Sequence, residues 1–439
     1  MKFSNLPLSL TDMSAPVIGI ASRTQTPKGL RLHIGLFGRR NAGKSSLINA
    51  LTNQKIAIVS DVPGTTTDPV EKACELAPIG PVVFIDTAGV DDVGELGGLR
   101  TERSLAVLGW VDVALIVYDA KALTESELEL IRTVKSTATP TVVVLNKADT
   151  ADAKELIATQ EQVRSLGYEP VTVCASQKLN IDAVREAIVK LAQNAVEPDL
   201  PLLGDLVHPG DTVMLVTPID TGAPKGRMIL PQVQAIREVL DADAKCIVVR
   251  ENRLAETLTN EKEPPAFVVT DSQVVQSVVA QTPKTIPVTT FSIQMAYSKC
   301  DLVEMARGAA MIDFLRPGDK VMICETCSHH PQPDDIGRKK LPRWLAKKVG
   351  GELDIEVVVG KDFPVDLTPY KLILQCGGCV VTRRHMLTRL AQAKRQNIPM
   401  TNYGVAISHL QGVLERALEL HPKALKAFHE AREIFANHF

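Results

Sequence analysis

Short runs of apolar residues, each followed by glycine or polar residues, recur through the first half of the chain. Four such runs are evident, at 32–37, 82–85, 141–145 and 171–174. Helical patterns of apolar positions occupy 46–51 and 181–191. Apolar runs of this length are typical of strands buried on both faces of a parallel sheet that alternates with helices. The pattern therefore predicts an α/β domain over residues 31–197.

The same alternation returns twice after Pro198 and Pro201, which mark a linker. Strands are predicted at 212–216, 244–249 and 266–269, and then at 320–324, 353–359 and 370–374. Helical patterns accompany both sets. We therefore predict two smaller α/β domains with mainly parallel sheets, over 198–300 and 301–439. Residues 1–30 show no clear period and are predicted to form a flexible arm.

The composition is that of an ordinary globular protein. Charged residues make up 23% of the chain, aromatic residues make up 4%, and the net charge is −2. Nucleic-acid-binding proteins usually carry a basic face and stacking aromatics, so we expect no nucleic-acid partner. No apolar run reaches the roughly 18 residues that a membrane-spanning helix needs, so we expect no membrane span and a cytoplasmic location. The eight cysteines are then better suited to metal binding or burial than to disulfides.

The first apolar run leads into a glycine-rich loop and then a helix, which is the context of a phosphate-binding loop. The residues of interest are Gly38, Asn41, Ala42, Gly43, Lys44, Ser45 and Ser46. Backbone N–H groups of such a loop surround the phosphates, a lysine adds a positive charge, and a serine hydroxyl reaches Mg²⁺. We assign these last two roles to Lys44 and Ser45.

Three further fragments follow predicted strands in the order expected of a GTPase. They are Asp86-Thr-Ala-Gly89, Asn146-Lys147-Ala-Asp149 and Ala175-Ser176. The first is suited to hold Mg²⁺ through water and to sense the γ-phosphate, and the last to cap the base. The Asp149 carboxylate can accept from guanine N1–H and the 2-amino group, whereas ATP would leave it unpaired at a cost of about 1.5–3 kcal/mol or more. The chain is therefore predicted to select GTP.

Between the first two motifs the chain resembles the TrmE–Era group of GTPases. It has a Gly-Thr-Thr-Thr stretch at 64–67, and in that group a Gly-Thr-Thr loop supplies a threonine to Mg²⁺. We align Thr66 with that threonine, with Thr65 as the alternative. Asn41 matches an asparagine that helps to bind K⁺ beside the phosphates in members of that group.

Catalysis would need a group other than a glutamine that orients the attacking water. Val90 follows the Mg²⁺ motif, and a valine cannot orient an attacking water by hydrogen bonding. We assign catalytic roles to Lys44, Thr66 and Asp86, and expect the cation to assist. The resulting hypothesis is slow, K⁺-stimulated hydrolysis of GTP.

The middle domain carries no chemistry of its own in the sequence. Residues 198–300 contain no phosphate loop, no paired carboxylates and no cluster of histidine and cysteine. A domain with a sheet and no site usually serves assembly, so we expect a homodimer. Its loop at 218–227 is rich in proline and glycine, and Asp220 within it is a candidate oxygen ligand.

Three thiols and an imidazole follow two strands of the last domain. Cys327-Ser-His329 comes after the strand at 320–324, and Cys376-Gly-Gly-Cys379 comes after the strand at 370–374. Both groups should meet at the carboxyl edge of a parallel sheet, where ligands collect. A redox dithiol would leave Cys327 and His329 unexplained, and a structural zinc of the Cys₃His type fits the ligand count. An iron–sulfur cluster fits best if three thiolates bind and the fourth position is weak or exchangeable.

The order of these modules resembles the HydF family of [FeFe]-hydrogenase maturation GTPases. The family pattern is Cys-x-His followed, some fifty residues later, by His-Cys-x-x-Cys; here 46 residues separate His329 from Cys376. The chain departs from the pattern at Gln375, where the family often has histidine. The fourth iron ligand is then left open between His329, Asp220, another oxygen donor and water.

The resemblance implies a scaffold or carrier. Proteins similar to this bind a [4Fe–4S] cluster through three cysteines, which here are Cys327, Cys376 and Cys379. They receive a di-iron precursor built with two radical-SAM maturases and deliver it to the [FeFe]-hydrogenase apoprotein. The rival interpretation is a GTPase assembly factor for tRNA modification or ribosomes, with a structural zinc. Colour would distinguish the two, because an iron–sulfur protein is brown when purified anaerobically and a zinc protein is colourless.

Overall fold

The computed structural model describes residues 26–53, 69–87, 105–121, 123–194, 200–219, 228–326 and 335–437. These residues form three α/β units, each built on its own sheet. The sequence prediction of a GTPase-type α/β domain followed by two smaller, mainly parallel α/β domains is confirmed. Among the helices of these residues, none is both long and apolar enough to cross a membrane.

The first unit contains a sheet of six described strands. The strands are β1 (Leu32–Phe37), β2 (Val70–Leu76), β3 (Gly80–Asp86), β4 (Val113–Asp119), β5 (Thr141–Asn146) and β6 (Val171–Thr172). Their order is β2-β3-β1-β4-β5-β6; β2 runs antiparallel to β3, and the other neighbours are parallel. The accompanying helices are α1 (Lys44–Thr52), α2 (Glu125–Ser136), α3 (Ala153–Ser165) and α4 (Ile181–Asn194).

The central strands of this sheet are buried on both faces, which explains their unbroken apolar sequences. On one face Leu115 and Val117 of β4 belong to the same core as Leu47 of α1. On the other face Ile116 of β4 packs with Ile131 of α2. Alternate residues of one strand therefore fill two separate cores, and helices cover both.

The second unit is a four-stranded parallel sheet. Its strands are β7 (Thr212–Val216), β8 (Lys245–Val249), β9 (Phe267–Thr270) and β10 (Val288–Thr290), in the order β10-β9-β7-β8. Its helices are α5 (Leu230–Asp241), α6 (Leu254–Asn260), α7 (Val275–Gln281) and α8 (Phe291–Lys299). β7 and β9 are almost wholly buried, whereas the edge strand β8 is half-exposed along its length.

The third unit is also a four-stranded parallel sheet. Its strands are β11 (Lys320–Glu325), β12 (Asp354–Val359), β13 (Leu372–Gln375) and β14 (Met400–Asn402), in the order β12-β11-β13-β14. Its helices are α9 (Leu302–Ala309), α10 (Leu341–Val349), α11 (Arg383–Arg395), α12 (Tyr403–Leu410), α13 (Leu414–Ala417) and α14 (Pro422–Ala436). Helix α9 ends at Ala309, and the chain continues directly as a 3₁₀ turn, Ala310–Phe314.

The first and third units pack against each other beside β2. The Trp110 ring stacks on His385 of α11, with centroids 6.4 Å apart, and meets His33 of β1 edge-on at 6.0 Å. Lys361, in the loop after β12, forms an ion pair with Glu71 of β2, and its Nζ lies 3.3 Å from the centroid of the Trp110 ring. This interface therefore combines aromatic stacking with a cation held between a ring and a carboxylate.

Burial fixes the charge states in this interface. Burial, assisted by the nearby Lys361 ammonium, lowers the pKa of His33 to about 3. Burial also holds the pKa of His385 well below its usual value. For Glu71, burial alone would raise the pKa, but hydrogen bonds from Lys28 and Lys361 outweigh it and bring the pKa to about 2. At neutral pH the two imidazoles are uncharged and the carboxylate is ionised.

These charge states predict that the fold loses stability in mild acid. The folded-state pKa of His33 lies below its ordinary value of 6.5, so its contribution is complete above pH 6.5 and is lost as the pH falls toward about 3. At pH 5 the loss from this one group should be about 2 kcal/mol. In His33→Gln this part of the pH dependence should be absent, as measured by guanidinium unfolding at pH 7 and pH 5. An unchanged pH dependence in the variant would mean that folding does not perturb His33.

Candidate functional site

The loop between β1 and α1 requires glycine at two positions. Gly38 has a φ of 139° and Gly43 a φ of 91°, which side-chain-bearing residues rarely adopt. A Cβ on Gly38 would lie 2.1 Å from the carbonyl oxygen of Val117, and one on Gly43 would lie 2.2 Å from Asn146 Nδ2. A tight loop that opens directly into a helix N-terminus is a site where backbone N–H groups bind phosphate.

The side chains expected to act on phosphate and Mg²⁺ lie at this loop. Lys44 is buried, and its Nζ donates to the carbonyl oxygens of Gly38 and Arg39, both at 2.9 Å. The Ser45 hydroxyl donates to Asp86 Oδ2 at 3.0 Å. Ser45 and Asp86 are 41 positions apart in the sequence, yet the fold places these two expected Mg²⁺ groups in contact.

The remaining loop residues differ in exposure. Asn41, the residue aligned with K⁺ binding, has a φ of 62° and an exposed side chain. Ala42 is fully buried, and Ser46 is exposed in the first turn of α1. Asn41 and Ser46 thus both expose polar side chains at this loop, and the role of Asn41 in K⁺ binding stays a prediction.

Asn146 fastens the phosphate loop to the loop after β6. Its Nδ2 donates to the Ala42 carbonyl oxygen at 2.9 Å, and its Oδ1 accepts from the Ala175 backbone N–H at 3.0 Å. Lys147 has a left-handed backbone with a φ of 60°, and its Nζ lies 3.1 Å from Asp119 Oδ1. The Asn146 side chain therefore joins two loops that are far apart in the sequence.

The carboxylate predicted to select guanine, that of Asp149, is held by two residues that sequence reasoning missed. Asp149 is exposed; its Oδ1 accepts from the Cys174 thiol at 3.1 Å, and its Oδ2 accepts from Gln177 Nε2 at 3.2 Å. Ser176 Oγ lies 3.2 Å from the Cys174 sulfur. Gln177 directly follows the Ala-Ser motif, so its position in the sequence is the signal that could have identified it.

Several predicted site residues lie outside the described part of the chain. They are Thr65, Thr66 and Gly89 of the nucleotide site, Asp220 of the middle domain, and Cys327 and His329 of the sulfur site. Their roles stay predictions. The described residues that flank them are Pro69, Thr87 and Thr326.

Cys376 lies directly beyond β13, at the carboxyl edge of the third sheet. Its backbone N–H donates to the Cys324 carbonyl oxygen at 2.9 Å, which extends the ladder between β11 and β13 by one residue. Its sulfur accepts from the Thr326 backbone N–H at 3.2 Å and lies 3.0 Å from Thr326 Oγ1. Thr326 immediately precedes Cys327 in the sequence, so the two halves of the predicted ligand set follow adjacent strands.

Cys379 is half-buried, as Cys376 is. Burial, assisted by the neighbouring Cys376, raises the pKa of its thiol to about 11. The turn Lys28–Leu30 packs on this loop, because a Cβ on Gly29 would lie 2.6 Å from the Cys379 carbonyl oxygen. Lys299 is 1% exposed and donates to the Gly29 carbonyl oxygen at 2.6 Å, which places a buried cation on the same side of the loop.

Gln375, the departure from the family pattern, is fully buried and engaged by a cation. Its Oε1 accepts from Arg389 Nη1 at 2.9 Å, and its Nε2 donates to the Cys376 sulfur at 3.5 Å. Arg389 is itself only 2% exposed. The one ligating atom of the amide is therefore occupied by a guanidinium, and its Nε2 lies within 3.5 Å of the Cys376 sulfur and of the carbonyl oxygens of Cys324 and Cys376.

These surroundings fit an anionic, thiolate-bound metal group. Hydrogen-bond donors at a cysteine sulfur and cations close behind it stabilise thiolate ligands and the negative charge of an iron–sulfur cluster. Cys376 has the donors, and Arg389 and Lys299 are the buried cations. Cys324 is fully buried within β11, and burial raises the pKa of its thiol to about 12. Over the ranges that the structure describes, no three His, Cys, Asp or Glu side chains form a complete metal-binding group.

Three family models match the chain in succession. The model of a 50S ribosome-binding GTPase matches residues 33–147, and the model of the hydrogen maturase F dimerization domain matches 202–300. The hydrogen maturase F tetramerization domain matches 303–420, which includes Cys376 and Cys379. The chain belongs to the hydrogen maturase F family. As a member of that family, it carries a GTPase domain, a dimerization domain and a tetramerization domain in this order.

Two curated relatives are similar to this hydrogen maturase F chain over 37% of its length. GTPase Der of Bartonella henselae is 36% identical over 165 residues, which cover 37% of this chain and 34% of the relative. The tRNA modification GTPase MnmE of Trichormus variabilis is 38% identical over 167 residues, with the same two shares. The chain thus spans about a third of the length of these relatives, and its first unit is a GTPase domain of the TrmE, Der and Era type.

Solved structures are similar to the chain at low identity. A variant of Era from Aquifex aeolicus is 21% identical, with a TM-score of 0.32, and the match covers 52% of this chain and 97% of that one. Elongation factor SelB of Methanococcus maripaludis is also 21% identical, with a TM-score of 0.32, and the match covers 39% of this chain and 35% of that one.

Proposed function

We propose that this protein is a GTP-hydrolysing scaffold that carries a [4Fe–4S] cluster and delivers a di-iron precursor to the [FeFe]-hydrogenase apoprotein. The observation that carries the proposal is the sulfur site of the hydrogen maturase F tetramerization domain. There the Cys376 sulfur meets hydrogen-bond donors from Thr326 and Gln375. Two radical-SAM maturases are the proposed sources of the precursor, which is the cargo rather than part of the protein.

The cluster would be held by Cys327, Cys376 and Cys379. When bound by three thiolates, a [4Fe–4S] cluster supplies a fourth iron position that an exchangeable ligand can occupy. His329, Asp220, another oxygen donor and water remain the candidates for that position. Gln375 is a poor candidate, because its amide oxygen is engaged by Arg389. A carrier benefits from this arrangement, since four thiolates would retain the cargo.

The nucleotide side of the proposal assigns roles to individual residues. Lys44 would neutralise phosphate charge, Ser45 and Thr66 would bind Mg²⁺ directly, and Asp86 would bind it through water. The close contact of Ser45 with Asp86 supports this assignment. Asp149 would select guanine, and its present partners Cys174 and Gln177 support a position at the base. Hydrolysis would bias partner association rather than drive chemistry at iron.

The alternative is a GTPase assembly factor for tRNA modification or ribosomes with a structural zinc. The similarity to Der and MnmE covers about a third of those proteins and lies within the GTPase domain. It therefore gives no support to a tRNA or ribosome partner for the rest of the chain. The middle and last units match hydrogen maturase F models instead, which favours the carrier.

We further propose that the middle unit dimerises through the free edge of its sheet. β8 is an edge strand, and Val248 within it is 41% exposed. Leu240 of the neighbouring helix α5 is also exposed, so apolar surface continues from the strand to the helix. An exposed edge of this kind can pair with the same strand of a second copy. None of the candidate site residues lies in β8 or α5.

The cluster and the GTPase should be separable by mutation. Replacing Cys327, Cys376 or Cys379 by alanine should abolish iron and sulfide uptake and the broad visible absorption after anaerobic reconstitution. GTP hydrolysis should stay within about twofold, since the altered residues touch no nucleotide. Lys44→Ala should do the reverse, and Cys246→Ala in β8 should change neither property. Uptake of one tight zinc ion per chain without iron, or a large loss of hydrolysis in the cysteine variants, would contradict the assignment.

Hydrolysis should depend on the monovalent cation. With valine at position 90 and Asn41 exposed at the phosphate loop, turnover should be at least roughly tenfold faster in K⁺ than in Na⁺. Asn41→Ala should lose most of this difference, as measured by phosphate release at constant ionic strength. Equal turnover in the two salts would refute K⁺ binding as the catalytic aid.

The edge strand should govern self-association. Val248→Lys places a charge on β8, which should disfavour strand pairing and lower the mass measured by light scattering. The matched control is Ile157→Lys on α3, because Ile157 is an exposed apolar residue (55%) in the GTPase domain. If both variants keep the wild-type mass, the dimer contact lies elsewhere.

A further inference from the structure

The ion pair between Glu71 and Lys361 belongs to a continuous set of contacts that leads from the nucleotide site to the sulfur site. In the antiparallel pair of β2 and β3, Val70 lies opposite Asp86 and Glu71 lies opposite Ile85. Asp86 is the residue whose carboxylate contacts Ser45 at the phosphate loop. A shift of the carboxyl end of β3 would therefore carry Glu71 with it through the strand ladder.

Lys361 connects this strand pair to the third unit. Its ammonium pairs with the Glu71 carboxylate and lies over the Trp110 ring, both of which belong to the first unit. Glu71 is also fixed from its own unit by Lys28 Nζ at 2.8 Å. The Lys361 side chain is 31% exposed, and burial lowers its pKa. A cation so enclosed by a ring and a carboxylate has few other positions available.

Arg389 hydrogen-bonds to the backbone on both sides of Lys361. Its Nη2 donates to the carbonyl oxygens of Gly360 and Asp362, at 2.9 and 3.3 Å. Its Nη1 donates to Gln375 Oε1 at 2.9 Å. A guanidinium is a rigid planar fork, so a displacement of the 360–362 loop is passed to the amide on the other side.

The last contact reaches the proposed cluster ligand. Gln375 Nε2 lies 3.5 Å from the Cys376 sulfur, and the buried Arg389 charge stands directly behind this amide. Hydrogen bonds to a ligating sulfur and nearby positive charge both favour the reduced form of an iron–sulfur cluster. Small movements of Arg389 would therefore change the reduction potential at Cys376.

We propose that Glu71, Lys361 and Arg389 form a path by which the nucleotide state sets the environment of the Cys376 sulfur. Arg389 is a positioning residue in this path, acting on the sulfur through Gln375. The inference rests on the proposed function, because it needs a cluster at Cys376. A cleft of about 1030 Å³ lies beside the path and is lined by Pro69 and Leu105 of the first unit and Phe363 of the third.

The test measures the reduction equilibrium of the reconstituted cluster with either GDP or a non-hydrolysable GTP analogue bound. Electron paramagnetic resonance during a potentiometric titration gives the fraction reduced. In the wild type, the two nucleotides should differ in the reduction equilibrium constant by about fivefold or more, a typical size for coupling between sites. Lys361→Met should keep the cluster and abolish this difference, and Glu71→Gln should do the same.

A matched control exists in the same unit. Lys320 also pairs with a carboxylate, Glu356 at 2.8 Å, and lies over a ring, Tyr370 at 5.0 Å, but it does not touch the path. Lys320→Met should therefore keep the full nucleotide effect. The double variant of Glu71 and Lys361 should lose no more than either single variant, since both substitutions break the same contact.

Arg389 is tested by charge and by geometry. Arg389→Gln removes the cation and should disfavour the reduced cluster about tenfold, which is about 59 mV for one electron. Arg389→Lys keeps the charge without the fork, so the potential should recover in part while the nucleotide effect stays absent. Should Arg389→Gln fail to fold, the Lys361 and Glu71 variants decide the question alone.

The outcomes separate the two proposals. A wild-type protein that takes up no iron would overturn the proposed function and this inference with it. A cluster that forms normally but shows the same reduction equilibrium with both nucleotides would overturn the inference and leave the carrier intact. A nucleotide effect that survives in Lys361→Met would mean that the coupling takes another route.

Discussion

The parallel arrangement of the strands is the constraint on which both candidate sites depend. Among the described strands, only β2 and β3 pair antiparallel. In each sheet nearly all the strands therefore run in the same direction, and their carboxyl ends lie on the same side. Loops from distant parts of the sequence are therefore collected at the carboxyl edges. At one edge this brings Ser45 to Asp86, and at another it brings Thr326 to Cys376.

The first and third units, which carry these two carboxyl edges, meet at an interface whose charge states are set by burial. Neutral His33 and His385, ionised Glu71 and the enclosed Lys361 form one interface between the first and third units. Glu71 and Lys361 need each other, because an unpaired charge at a buried interface is costly. Because these contacts are costly to break, a displacement of the first unit is transmitted through them to the third unit, and this suits the interface to signalling.

Much of the fold and of the nucleotide site could be predicted because the signals are local. The strands β1, β3 and β5 are apolar runs that end in motifs, and spacing places Cys376 after a strand. β4 carries as strong an apolar run as β1 and could have been predicted from the same signal. β2 is different, because its sequence mixes charged and apolar residues and becomes a strand only by pairing with β3.

The contacts between the units could not be read from the sequence. Glu71 and Lys361 are 290 positions apart, and nothing in the local pattern around either predicts the other. Gln375 was evident as a departure from the family pattern, but its role depends on Arg389, which reaches it from helix α11. Long-range pairs of this kind are fixed by tertiary packing, which short sequence motifs do not reveal.

Anomalous X-ray diffraction from crystals of the anaerobically reconstituted protein tests the central claim most directly. Data at the iron and zinc absorption edges identify the metal and its ligands in one experiment. The account predicts iron bonded to the sulfurs of Cys376 and Cys379, with the Gln375 amide still between Cys376 and Arg389. Zinc at these sulfurs, or iron that does not touch Cys376, would contradict it.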